Sequence, residues 1–289
     1  KVRQALSQLE LLVVADLFLT ETAKLADIFL PATSFLEKRT LKDYTSEGQP
    51  LVVLTPAVVE PVGDSLEDWR LWAELGKKMG YAEYFPWQSS EELYDLLLEP
   101  SGITVEQLRQ NPTGIWYGDL DRKQKYLEEG LASPSGKVEL YSETLEKYGY
   151  DPLPDFVEPL PALADNPELV KKYPLILVTG ARMAPFTHSR HRNVARLRKL
   201  APYPTVEINA GTARNLGIAN DDWVVVASPN GMLHLRSRVT DDIHPGVVSI
   251  LHGWDEANVN LLTDGDARDP ISAYPGYKAV MCRVSKDRK

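Results

Sequence analysis

The sequence predicts part of an α/β domain followed by a compact, mainly β barrel of six short strands. Three observations carry this reading. Residues 9–31 run strand, loop, helix, strand, the rhythm of a doubly wound parallel sheet. From Tyr173 onward, six short β-rich runs are separated by turn residues and a single helix. A length of 289 residues with 43% hydrophobic content supports roughly two domain cores.

Residues 9–15 (LELLVVA) are an unbroken apolar run ending at Asp16, which predicts a fully buried parallel strand. Thr20-Glu21-Thr22 ahead of Ala23, Leu25 and Ala26 predicts a short helix capped by Thr20 or Thr22. Ile28-Phe29-Leu30-Pro31 predicts a second strand, stopped by its proline. Ligands of such sheets bind beyond the carboxyl ends of strands, where Asp16 and Thr20 fall. Asp16 as a plain helix cap is the equal alternative. Across 66–79, Leu66, Trp69, Trp72, Ala73, Leu75 and Met79 recur at helical spacing before Gly80, with the tryptophans assigned to the core. Two further helices are predicted over 91–98 and 104–110. A Pro-rich run from Pro152 to Pro167 then predicts an extended domain crossing. These shifts divide the chain into 1–82, 83–172 and 173–289.

The last part reads as strands over 175–179, 205–209, 223–228, 233–240, 247–251 and 278–285. Asn230-Gly231 predicts a two-residue hairpin. Asn209 or Thr212 caps a helix over 211–216 that Gly217 closes.

Composition excludes several classes. Lys+Arg at 32 against Asp+Glu at 41 gives a net charge of -9, unlike a protein that coats nucleic acid. A single cysteine, Cys282, excludes an internal disulfide framework and any thiolate-built metal or iron–sulfur centre, and its β surroundings suit core rather than nucleophile. Apolar runs fall far short of the roughly 20 residues of a membrane helix, so no direct membrane insertion is expected. No leader is legible at Lys1, and the missing initiator Met suggests a mature or truncated product. An export signal would lie upstream, so the compartment is left open between cytoplasm and periplasm. No Walker loop, nucleophile elbow or Gly-x-Gly-x-x-Gly occurs. His188 and His191, spaced to share a helical face, lack a third ligand. No catalytic set and no metal site are predicted.

Binding chemistry is legible. Gly180 follows a buried strand and lets a ligand approach the backbone. Arg182, Arg190, Arg192, Arg196, Arg198 and Lys199 form a basic cluster in an acidic chain, which suits a small anionic ligand. Arg192, Arg196 and Lys199 are assigned to the wet face of a helix. His252-Gly253-Trp254 closes a strand. Asn258 and Asn260 either read the edge of an amide-bearing ring or form an Asx turn.

Four stretches together resemble the molybdopterin oxidoreductases of the dimethyl-sulfoxide-reductase type. They are VVADLFLTETAKLADIFLP (13–31), SPSGKVELYSETLEKYGYDPLPDFVEP (133–159), residues 173–231 from YPLILVTGAR to VVVASPNG, and GVVSILHGWDEANVNLLTDGDARDP (246–270). His-Ser-x-x-Arg, His-Gly-Trp and Asn-x-Asn look closest to the polysulfide/thiosulfate-reductase and acetylene-hydratase-like branch. The resemblance implies the C-terminal portion of an α/β third domain, then a helical insertion and linker. A double-psi-type, molybdopterin-dinucleotide-binding barrel completes the chain.

It also implies bis(molybdopterin guanine dinucleotide) carrying Mo or W in a longer parent, whether or not this chain retains it alone. Asp16, Thr20 and Asp27 would lie near a guanine nucleotide. Gly180, Arg182, His188, Ser189 and Arg190 would line a pterin or its phosphates, and Asn258, Asn260, Tyr277 and Lys278 would close the other side. The metal ligand and any iron–sulfur cluster would lie in an N-terminal half, leaving this portion inactive alone. The alternatives are a stand-alone barrel for binding or assembly without cofactor, or part of a non-redox hydratase of the same family. The implied partners are those N-terminal domains and an electron-transfer subunit. Departures from the family pattern are Glu47-Gly48-Gln49 in place of Glu-Gly-Arg, Asp255 after His-Gly-Trp, and Asn220-Asp221-Asp222 in place of a Gly-Asp turn.

Overall fold

The computed structural model describes residues 1–118, 124, 126–153, 155, 156, 166–180 and 183–287. The chain divides into two compact units, Val2–Pro154 and Asp155–Lys289, the latter grouped with Lys1. Most of the Pro-rich run, including Pro154 and residues 157–165, lies outside the described residues.

In the first unit, β1 (Val13–Asp16) pairs in parallel with β2 (Ile28–Pro31), Val13 facing Ile28 and Asp16 facing Pro31. The expected fully buried strand over 9–15 is corrected. β1 starts later and alternates between exposed and half-buried, with Leu9 and Leu11 exposed ahead of it. A strand with one neighbour in a two-stranded sheet has too little cover to bury both faces. Between the strands, Ala23–Leu25 is one 3₁₀ turn rather than an α-helix. β3 (Thr40–Asp43), β4 (Leu51–Thr55) and β5 (Ile115–Trp116) form an antiparallel sheet in that order. Val52 and Leu54 of β4 share a core with Leu98, Ile103, Val105 and Leu108.

The helices fall close to expectation: Asp68–Lys78, Ser90–Leu98 and Val105–Gln110. The last opens on a capping box in which Thr104 and Gln107 satisfy each other's backbone N–H groups. Gly80, at φ +91, follows the first of these helices. Its tryptophans are not core: Trp72 is 62% exposed and Trp69 is half-buried, donating to Glu67 at 2.6 Å. The helix buries its small residues instead, since a Cβ on Gly76 would collide with the ring of Phe85.

The second unit contains all six expected strands: β6 (Leu175–Thr179), β7 (Thr205–Asn209), β8 (Trp223–Ala227), β9 (Met232–Thr240), β10 (Val247–Ile250) and β11 (Val280–Lys286). They close into a mixed barrel in the order β10-β6-β11-β8-β9-β7, with β6–β10 and β7–β9 parallel. Period-2 alternation sends Leu177, Val206, Ile208, Val224, Val226, Leu235, Val248 and Ile250 inward, each at 0% exposure. Burying each such side chain is worth about 1.5–3 kcal/mol. Cys282 joins this core, as its surroundings suggested.

Asn209 accepts from the N–H of Gly211 at 2.8 Å and caps the helix Ala210–Asn215, with Gly217 at φ +65 beyond it. The β8–β9 hairpin exists, but Ser228 N–H donates to Gly231 carbonyl at 2.9 Å. Pro229 and Asn230 therefore form its apex, one residue earlier than the Asn-Gly signal suggests. Among the described residues, no helix is long and apolar enough to cross a membrane.

Candidate functional site: a cleft at the mouth of the barrel

β6 and β10 lie side by side in parallel and end level, Thr179 opposite Ile250. Their following loops diverge there and leave a cleft of about 240 Å³. Thr179, Gly180 and Ser189 line it together with His252, Gly253, Trp254, Asp255, Asn258, Asn260 and Tyr277. Gly180 turns the chain at φ +100, and a Cβ there would meet nothing within 4 Å. Gly253 is the opposite case. At φ +87, its Cβ would sit 2.9 Å from the carbonyl carbon of His188 and the amide nitrogen of Ser189. The two loops touch backbone to backbone at that point.

His188 and His191 do not share a helical face. Both adopt left-handed φ, 58° and 65°, in tight turns ahead of the short helix Ala195–Arg198. The His188 ring instead meets His252, Nδ1 against Nε2, with ring centroids 4.4 Å apart. Tyr277 offers its carbonyl to the Thr179 N–H at 2.9 Å, pinning its segment to β6. Asn258 accepts from the Asn260 N–H at 3.1 Å, so Asn258 is an Asx-turn residue and also lines the cleft. The β8–β9 hairpin fastens this turn from behind: Ser228 Oγ donates to the Leu262 carbonyl at 2.8 Å. The side-chain amide of Asn260 and the hydroxyls of Ser189 and Tyr277 have no hydrogen-bond partner among the described residues, which leaves donors and acceptors facing a ligand space.

Arg192 departs from expectation. It precedes the short helix rather than lying on its wet face, and is only 6% exposed. Its Nη2 donates to the carbonyls of His188 at 3.1 Å and His252 at 3.3 Å. The guanidinium lies 3.9 Å from the Trp254 ring centre and 5.2 Å from that of Phe186. Burial, with the nearby Arg198 charge, pushes its pKa down to about 10, and it remains a cation at neutral pH. Arg196 and Lys199 are exposed, as expected.

Of the predicted site residues, Gly180, Ser189, Asn258, Asn260 and Tyr277 line this one cleft. His188 adjoins it through His252. Arg190 and Lys278 are exposed beside lining residues in the chain without lining the cleft themselves. Arg182 lies outside the described residues. Asp16, Thr20 and Asp27 belong to the first unit and are not gathered there. Asp16 sits at the carboxyl end of β1 with Thr20 3.4 Å away, whereas Asp27 accepts from the Leu12 N–H at 2.8 Å at the amino end of the strand pair. Thr179, His252, Trp254 and Arg192 were missed as site residues. The placement of His-Gly-Trp just past a parallel strand was the available signal for two of them. Among the described residues, no group of three or more His, Cys, Asp or Glu side chains could hold a metal ion.

The second unit is thus a closed six-stranded mixed barrel with a polar cleft where two parallel strands end. Residues 175–281 match the family model of the molydopterin dinucleotide binding domain, and residues 1–78 match that of molybdopterin oxidoreductase. The chain is 36% identical to acetylene hydratase of Syntrophotalea acetylenica over 84% of its length and 33% of that protein. It is 34% identical to the F420-dependent formate dehydrogenase subunit alpha of Methanocaldococcus jannaschii, over 99% of its length and 40% of that protein. The solved structure of acetylene hydratase from Pelobacter acetylenicus superposes with a TM-score of 0.87 at 31% identity, covering 99% of this chain and 41% of that one. The chain belongs to the molybdopterin oxidoreductases of the dimethyl-sulfoxide-reductase family and carries their dinucleotide-binding domain. It spans a third to two fifths of the length of these curated relatives.

Proposed function

We propose that this chain is the cofactor-binding C-terminal portion of a molybdenum or tungsten oxidoreductase that uses bis(molybdopterin guanine dinucleotide). The observation carrying this reading is the convergence of Gly180, Ser189, Asn258, Asn260 and Tyr277 on one cleft. Its chemistry fits a pterin ring edge. The lining offers amides, hydroxyls and one carboxylate, Asp255, but neither lysine nor arginine among the described residues. Such a set suits a neutral, hydrogen-bonding heterocycle better than a phosphate. Gly180 leaves room for a ring to come against the backbone, while Asn260, Ser189 and Tyr277 present unpaired polar groups to its edge. Arg190 and Lys278 at the rim, with Arg182, are assigned to the anionic part of the dinucleotide. Asp16, Thr20 and Asp27 are assigned to the guanine nucleotide.

When bound, the metal–pterin group would supply the redox chemistry, while these residues hold and orient it. On this reading the metal ligand and any iron–sulfur cluster belong to N-terminal domains of a longer protein. Those domains and an electron-transfer subunit are the proposed partners. The test is acid extraction of the complete protein, which should release oxidised pterin and guanine nucleotide. A folded, complete protein that releases neither refutes the assignment. The 36% identity to acetylene hydratase favours a second reading, a non-redox hydratase. Acetylene hydration against dye-linked formate oxidation by the complete protein separates the two.

A further inference from the structure

Arg192 is the one charged side chain among the buried described residues. Its surroundings offer aromatic faces and two carbonyls but no counter-charge in contact. No carboxylate pairs with it directly; Glu256 is engaged by Arg198. Its Nε and Nη1 are buried without a hydrogen-bond partner among the described residues. An apolar side chain would fill the same space at lower cost, because a buried guanidinium with unmet donors forfeits hydration it does not recover.

What Arg192 does supply is a bridge. The carbonyls it reaches belong to residues 64 positions apart in the chain, one in the loop after β6 and one in the loop after β10. Both flank the place where Gly253 rests on the 188–189 backbone. The guanidinium also lies over the ring of Trp254, which lines the cleft, and Trp254 stands edge-on to Phe186 with centroids 6.1 Å apart.

We propose that Arg192 is a positioning residue: one nitrogen of its guanidinium ties the two loops together and fixes how they meet at the cleft. It acts through the backbone of His188 and His252 and through the Trp254 ring, not by touching the ligand. A lysine ammonium could donate from one nitrogen as Nη2 does, but it offers no planar face to the indole and restores the link only in part.

The test uses the 289-residue chain with Arg192→Met and Arg192→Lys. Two measurements are made without ligand, the thermal midpoint and backbone amide exchange. A third is binding of pterin-6-carboxylate, and it alone rests on the pterin reading above. The reporting amides are Arg190, bonded to Thr187 at 3.0 Å, and Val194, bonded to His191 at 3.0 Å. The expected result for Arg192→Met is an unlowered thermal midpoint together with at least about tenfold faster exchange at these amides, the scale of one charge-assisted hydrogen bond. Binding weakens in parallel, and Arg192→Lys falls between. A role in packing alone would move the midpoint and leave local exchange in step with it. Unchanged exchange in folded Arg192→Met overturns the proposal; if that variant does not fold, unchanged exchange in Arg192→Lys does so. Failure of the unsubstituted chain to bind the pterin strikes at the cofactor assignment, while the exchange measurement still decides the role of Arg192.

Discussion

Replacing Gly253 with alanine puts a methyl carbon 2.9 Å from two backbone atoms of the facing loop and holds it at φ +87. The left-handed backbone costs a non-glycine residue about 1–2 kcal/mol. Backbone atoms cannot rotate away as a side chain can, so the clash adds about 1–3 kcal/mol of forced displacement. A total near 3 kcal/mol, in a unit of this size, lowers the thermal midpoint by about 12 °C. Gly180→Ala is the internal control. Its φ of +100 carries the same kind of strain, but nothing lies within 4 Å of the added carbon. It should cost only the backbone part, about 1–2 kcal/mol and roughly 6 °C. Scanning calorimetry of the two variants isolates the steric component by difference. Ligand binding should rank them the other way, because the Gly180 methyl enters the cleft without unfolding anything. Equal midpoints for the two variants would refute the argument that the loops meet backbone to backbone.

Gly231→Ala aims a Cβ at the Leu261 carbonyl oxygen from 2.5 Å and should destabilise by about 2 kcal/mol in urea titrations, whereas Asn230→Ala, losing one 3.4 Å bond to Leu262, should cost under about 1 kcal/mol. Thr104→Ala removes the capping box and should cost about 1 kcal/mol, read from unfolding of the first unit. Burial pushes the Cys282 thiol up to about 12. An unfolded thiol ionises near 8.5, so above that pH the folded chain holds a proton the unfolded chain has lost. The stabilisation is whole below about pH 8.5 and is lost as pH rises towards the folded value, by about 2 kcal/mol between pH 8.5 and 10. Cys282→Ala, followed over the same range, should lack that part of the decline.

The barrel strands were legible because each is a short β-rich run bounded by turn residues; LILVT and TVEIN were found to the residue. The same reading overreached at LELLVVA, where an apolar run says nothing about which neighbours will cover it. Trp72 shows the same limit: helical spacing finds the helix, while the face it buries is decided by Phe85 fitting against Gly76. Gly180, Asn258 and Asn260 could be found because a strand-end glycine and paired amides carry meaning locally. Arg192 could not. Its neighbours Arg196 and Lys199 are solvated, and it is buried by Phe186, by His252 and by Trp254, the last two brought up by the loop after β10. Asp16 and Asp27 stand at the two ends of a short strand pair, a separation that the register reveals and spacing along the chain does not.

The order of strands around the barrel also governs when the cleft can exist during synthesis. β6 emerges first, but its two neighbours are β10 and β11, and Leu175 pairs with Cys282 about a hundred residues later. Until those last strands leave the ribosome, β6 has no neighbouring strand in the barrel, and the loop after it has no opposite wall. A ligand held between the two loops therefore recognises only a finished barrel. On the proposed cofactor reading, binding would report a completed barrel.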